Sequence, residues 1–241
     1  MKKIFILLLS LVPVTLAIAQ QTGPALLEAA ITYHDPQGQW PGLQATFVFS
    51  DSRPGQPDRQ ARMHLDNVQG NLCVMRQQAG HRVMRHVTGN TCRQEVDDRP
   101  PTAAEKEELQ LTDSRCLMLR NYYLYLWGLP MKLHDPGTHI SDSIFHKPFN
   151  GKETLAIRVT YDKEVGSDIW YFYFDPHSHA MVGYQFFHDE SKGDGEYIVL
   201  AGEQQINGLR IPAQRTWYTN ADSTLLGTDR LVEVLPLKHR H

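Results

Sequence analysis

Along most of the chain, apolar and polar residues alternate with a period of two. Leu43, Ala45, Phe47 and Phe49 are interleaved with Gln44, Thr46 and Val48, and Ala61, Met63 and Leu65 with Gln60, Arg62, His64 and Asp66. Strand side chains point alternately to two faces, so each segment predicts a half-buried strand with one wet face. The stretch SDSRPGQPD between them is a hairpin loop by composition. Leu72–Met75 and His81–Val87 continue the series across Ala79-Gly80. Further on, Leu155, Ile157, Val159 and Tyr161 alternate with Thr154, Ala156, Arg158 and Thr160, and Asp162–Ser167 is the connecting turn. Ile169–Phe174 (IWYFYF) and Met181–Phe187 are the next strands, followed by Tyr197–Ala201 after the tight-turn dipeptide Asp194-Gly195. Ile206-Asn207-Gly208 turns into Leu209–Pro212, and Arg215–Tyr218 and Leu231–Val234 close the series. Turn signals roughly every 8–12 residues are the mark of an antiparallel sheet.

Three segments carry helical spacing instead. In Pro24–Tyr33, Leu26, Leu27, Ala30 and Ile31 form one apolar stripe, stopped by His34-Asp35-Pro36. Thr102 leads into AAEKEEL, a helix start with acids near its N-terminus. Ser114–Trp127 (SRCLMLRNYYLYLW) is apolar nearly all round, which predicts a helix enclosed by other elements, ended by Gly128-Leu129-Pro130.

The first twenty residues, MKKIFILLLSLVPVTLAIAQ, change the picture of where the protein works. Two lysines, an apolar run from Ile4 to Leu16 and the small-x-small site Ala17-Ile18-Ala19 predict a secretory signal peptide over 1–19 and a single exported domain over 20–241. No Cys stands at the cleavage point, so the expected product is periplasmic or extracellular and not lipid-anchored. In an oxidising compartment the three cysteines can form one disulfide. Cys73 and Cys92 flank a hairpin region and are the expected pair, leaving Cys116 over. With 241 residues, 41% hydrophobic and 21% charged, the composition is that of a globular protein, and a net charge of −3 gives no basic field for nucleic acid or an anionic membrane.

Reactive chemistry is thinly represented. The twelve histidines include three His-Asp doublets, at His34, His134 and His188, and the turn His177-Ser178-His179. None has the spacing of a zinc-binding motif, there is no C-x-x-C, and solvated turn histidines account for them. Neither a G-x-S-x-G elbow nor a Gly-rich phosphate loop occurs. The expectation is therefore no catalytic residue, no metal and no cofactor. The positive signal is aromatic. IWYFYF divides into Ile169/Tyr171/Tyr173 and Trp170/Phe172/Phe174, and neither face is polar. One face is expected to pack on the Ser114–Trp127 helix, the other on a loop, a partner or a ligand. Tyr122, Tyr125, Trp127, Met131, Trp170, Phe172, Phe174, Tyr184 and Phe186 are the candidate lining of an apolar binding site.

The segments Tyr33–Trp40 (YHDPQGQW), Asn121–Thr138, Val159–Pro176, Gly183–Pro212 and Trp217–Asp229 resemble an uncharacterised family of secreted proteins from Bacteroidota-type bacteria, to which no activity is attached. The order of elements is also similar to that of periplasmic lipoprotein carriers and outer-membrane lipoprotein-sorting proteins. The likeness lies in the N-terminal helix, the successive hairpins, the helical insert, YFYFDPHSHAMVGYQFF and the late INGLRIPAQRTWY. That resemblance implies a mainly β (α+β) fold: a curved antiparallel half-barrel with helices plugging its concave face, around a cavity for a lipid, an acyl chain or a lipidated protein. It fixes no particular arginine as a polar anchor; Arg120 and Arg158 are candidates, each better explained as a surface or rim side chain with a buried stem. The function expected is non-enzymatic binding of an apolar ligand. The alternatives are an envelope interaction or structural protein and, last, a metal-dependent hydrolase built on the His-Asp doublets.

Overall fold

The computed structural model describes residues 21–237, so the signal peptide expected over residues 1–19 lies outside the described residues. Helix α1 (Gly23–His34) precedes five strands: β1 (Gln44–Ser52), β2 (Arg59–Asp66), β3 (Asn71–Gln78), β4 (His81–Thr88) and β5 (Thr91–Val96). Helices α2 (Ala103–Glu108) and α3 (Asp113–Gly128) follow, and a 3-10 turn spans Met131–His134. Seven strands complete the chain: β6 (Thr138–Phe149), β7 (Lys152–Tyr161), β8 (Ile169–Phe174), β9 (Met181–Phe187), β10 (Glu196–Ile206), β11 (Leu209–Thr219) and β12 (Leu225–Pro236). All twelve form one unclosed, curved antiparallel sheet in the order β5-β4-β3-β2-β1-β12-β11-β10-β9-β8-β7-β6.

That order dictates where the helices go. β5 and β6 follow one another in sequence yet occupy opposite edges of the sheet, so residues 97–137 must cross it. They cross on the concave face. Trp127 of α3 packs on Phe47 and Phe49 of the central strand β1, with ring centres 5.5 and 5.6 Å apart. Register shifts at Val48/Phe49, Ile140/Ile144, Tyr173/Phe174 and Trp217/Tyr218 supply local bends.

Local signals place the helices. Thr22 caps α1, and Leu26, Leu27 and Ala30 are its buried face. Thr102 and Glu105 form a reciprocal capping box on α2, and Thr112 caps α3. The enclosure expected for α3 is only partial. Cys116, Tyr123, Leu126 and Trp127 are buried, while Met118 (56%) and Tyr122 (42%) are exposed on its outer flank. A helix laid across the mouth of an open sheet has one side with nothing to pack on.

The expected Cys73–Cys92 pair is replaced by Cys92–Cys116, and Cys73 is free. Cross-strand register gives the reason. Cys92 stands opposite the buried Val87 on the concave face, whereas Cys73 stands opposite His86 on the convex face, with β4 between them. The bond formed ties the start of α3 to the edge strand β5.

Both apolar faces of β8 are covered by the chain itself. Trp170, Phe172 and Phe174 join the main concave core. Tyr171 and Tyr173 belong to a second cluster on the convex face, under Phe149 from the end of β6. The Phe149 ring stacks on Tyr173 at 4.1 Å, and Lys147 lies 4.1 Å over the Tyr171 ring.

Candidate functional site: a groove beside the plugging helix

One end of the concave face is held by buried charge. Arg215 of β11 is fully buried and donates from Nη2 to the Leu126 carbonyl (2.9 Å) and from Nη1 to that of Pro212 (3.1 Å). Its neighbour across the strand pair, Asp229, accepts from Arg53 at 3.1 Å, and burial raises the Asp229 carboxyl above the usual range. Asp51, opposite Asp229 on β1, accepts from Arg59 Nε at 2.7 Å. Arg215 Nε, Trp127 Nε1 and the Tyr184 hydroxyl are buried without a hydrogen-bond partner among the described residues. This end is a clamp on α3 rather than a cavity.

The other flank of α3 is open. Between α3, the 3-10 turn after it and the β7–β8 loop runs a groove of about 500 Å³. Leu124, Tyr125, Tyr161, Val165 and Trp170 give it an apolar wall, and Lys132, Asp135, Glu164 and Asp168 a charged rim. The wall is braced from behind. Tyr125 and Tyr161 are joined hydroxyl to hydroxyl. Tyr125 meets Trp170 edge to face at 6.2 Å, and Trp170 leans on Phe186 at 4.8 Å. Burial raises the Tyr161 phenol to about 12 and the Tyr125 phenol well above its usual range, so both stay neutral hydrogen-bonding groups at physiological pH. A volume of this size lies inside the roughly 300–1,000 Å³ of small-molecule sites.

Of the nine sequence-selected residues, Tyr125 and Trp170 line this groove. Trp127, Phe172, Phe174 and Tyr184 lie inside the closed core. Met131 and Phe186 are half-buried against that core, and Tyr122 is on the exposed flank of α3. Leu124, Tyr161 and Val165 line it as well, beyond the residues expected from the sequence. The available signal was position: Val165 sits in the β7–β8 loop, opposite the end of α3. Arg120 reaches the Gly89 carbonyl, and Arg158 pairs with Glu190 at 3.0 Å, so neither candidate anchor lies among the groove-lining residues.

The His-Asp doublets are separate fixtures. His34 Nδ1 lies 2.7 Å from the Arg210 carbonyl, and its Nε2 accepts from the Met181 amide at 2.9 Å. Asp35 accepts from the Gln39 and Trp40 amides. His134 pairs with Glu28 and His188 with Asp168, both at the surface.

An unclosed antiparallel half-barrel plugged by helices on its concave side is the LolA-like fold. The structure aligns with a LolA superfamily protein from Nitrosomonas europaea at a TM-score of 0.52 and 10% identity, covering 91% of this chain and 95% of that one. It aligns similarly with an outer-membrane lipoprotein-sorting protein domain from Vibrio parahaemolyticus, at a TM-score of 0.51 and 9% identity over 89% and 93% of the two chains. By sequence, the chain belongs to a family of unknown function, DUF6503, whose model matches residues 2–234. No curated protein matches it. No helix among the described residues is long and apolar enough to cross a membrane.

Proposed function

We propose that this is an exported, non-enzymatic holder of an apolar ligand, a lipid or acyl chain that is free or attached to a protein, bound in the groove beside α3. The observation that carries the reading is the groove itself, an apolar wall of Leu124, Tyr125, Tyr161, Val165 and Trp170 under a charged rim. Each methylene buried there contributes about 0.8 kcal/mol, so a short length of chain is enough for measurable binding. The rim supplies both signs of charge, Lys132 against Asp135, Glu164 and Asp168, to orient a polar head. The fold shared with lipoprotein-sorting domains supports the reading without supplying the ligand. The chain's own coverage of the second aromatic face removes the main reason to expect a protein partner there.

The test is displacement of a fluorescent fatty-acid probe by unlabelled fatty acids, with native mass spectrometry of protein purified from an envelope fraction. Tyr125→Ala and Trp170→Ala should each weaken probe binding about tenfold or more while the circular dichroism of the sheet is kept. Absence of probe binding, or binding indifferent to both substitutions, overturns the proposal.

A further inference from the structure

The convex face of β2–β4 carries a set of side chains unlike the rest of the sheet's wet surface. His64, Cys73 and His86 are directly opposed on three neighbouring strands, one residue per strand. Directly opposed residues have Cβ atoms roughly 5 Å apart, so two imidazoles flank one sulfur. The Cys73 Sγ and His86 Nε2 are 3.9 Å apart. Two donors sharing one four-coordinate ion would stand roughly 3.5 Å apart, from bond lengths of about 2.3 Å to sulfur and 2.0 Å to nitrogen. His64 Nδ1 is held by the Thr46 hydroxyl at 2.8 Å. With the ring proton on that nitrogen, Nε2 carries the free lone pair.

The adjacent row adds two more soft donors. Met75 and Met84 are opposed to one another two residues along from Cys73 and His86, on the same face. A shallow depression of about 210 Å³ lies over the His64–Cys73–His86 row, bordered by Asn71, Thr88 and Leu237. The Asn71 side-chain oxygen there is buried with no partner among the described residues. Thiol, thioether and imidazole together select a soft, low-charge ion over the oxygen-seeking divalent cations.

We propose that this face binds one copper(I) ion between the Cys73 thiolate and the imidazoles of His64 and His86, with the Met75 and Met84 thioethers as auxiliary donors. No three His, Cys, Asp or Glu side chains among the described residues already stand at coordinating distance. Capture therefore draws His64 inward by side-chain rotation, and the thiol proton leaves to solvent as the copper–sulfur bond forms. There is no change of oxidation state. The site lies on the opposite face of the sheet from the apolar groove and is independent of it.

The test uses the full chain and copper(I) presented as its coloured bicinchoninate complex under anaerobic conditions. The protein should bleach one equivalent of the complex. Cys73→Ser should abolish this, and His64→Ala and His86→Ala should each weaken it at least tenfold. Cys73 lies outside the disulfide, so Cys73→Ser should keep the unfolding midpoint of the parent and separate lost ligation from lost folding. His239 and His241 follow shortly after Leu237 in the sequence, so a His239→Ala/His241→Ala variant is the control and should bind as the parent does. Failure to bleach the complex, equal binding by Cys73→Ser, loss only in the tail variant, or preference for zinc(II) in direct competition each overturns the proposal.

Discussion

The Arg215 guanidinium lies 4.1 Å over the Trp127 indole and, in the same pose, donates to the Leu126 carbonyl at the end of α3. A cation buried against an aromatic face and a helix's terminal carbonyl contributes by contact and by hydrogen bonding, at the cost of lost hydration. Arg215→Ala removes both contributions and leaves a hole beneath α3. The loss expected is about 3–4 kcal/mol, by analogy with large-to-small core changes and lost charged hydrogen bonds. Arg215→Met keeps most of the volume and relieves the buried charge, so about 1–2 kcal/mol is expected. Urea unfolding of the pair checks this. Equal losses would mean that filling the space beneath Trp127 does not matter.

Cys92 and Cys116 close a loop of 24 residues that contains α2 and the start of α3. Chain-entropy arithmetic assigns a cross-link of this length about 3.5 kcal/mol. The Cys92→Ser/Cys116→Ser variant should lose about 2–4 kcal/mol in urea unfolding. Peptide mapping of the unreduced protein should find the 92–116 link, with only Cys73 open to alkylation after unfolding. A 73–92 link in the map would overturn the placement of Cys73 and Cys92 on opposite faces of the sheet.

The central hairpins were legible because their strands are half-buried, and burial of one face writes itself as alternation. The two edge strands were not. β6 carries Ser141, Asp142, Ser143, Lys147 and Pro148, and β5 carries Thr91, Arg93, Gln94 and Glu95. Such residues discourage pairing at a free edge and erase the period-two signal. Missing β6 hid the partner of the second aromatic face, since Phe149 is its last residue. The cysteine pairing failed for a related reason. Sequence proximity suggested 73 with 92, but parity across β3 and β4 puts them on opposite faces. The candidate site was half-legible: an aromatic run announces a core, and only the ends of the helix and loops decide which part stays open. Tyr125 and Trp170 lie at that opening, whereas Phe172 and Phe174, further along the same strand, are sealed.

His34 provides a pH test of the α1 anchorage. Burial lowers its pKa below the ordinary 6.5, and the neutral ring is the form that accepts from the Met181 amide. Between the folded pKa and 6.5 the unfolded chain binds a proton that the folded chain does not, so stability falls as the pH drops through that window. The contribution is fully present above 6.5, with a slope below it of at most about 1.4 kcal/mol per pH unit. His34→Gln should be less stable at pH 7 but should lose this part of the slope between pH 6.5 and 5. A histidine resonance in the folded protein that titrates near 6.5 and is assigned to His34 would refute it.

Gly183 of β9 and Phe149 of β6 are coupled by a contact that leaves no room for a side chain. A Cβ at Gly183 would stand 2.2 Å from the Phe149 ring and 2.6 Å from the Ile198 carbonyl. Gly183→Ala therefore forces the ring off Tyr173 and strains the β9–β10 pair, with a loss of about 2–3 kcal/mol expected from overpacking. Phe149→Ala uncovers Tyr173 and should cost about 3 kcal/mol, at the low end for a buried phenylalanine because the ring caps a surface-facing cluster. In the double variant the methyl group has the ring's space but still meets the Ile198 carbonyl. Its loss should fall short of the sum of the two single losses by about 1 kcal/mol without vanishing. Strict additivity in chemical unfolding would show that Phe149 does not rest on Gly183, and the account of why IWYFYF is apolar on both faces would fail with it.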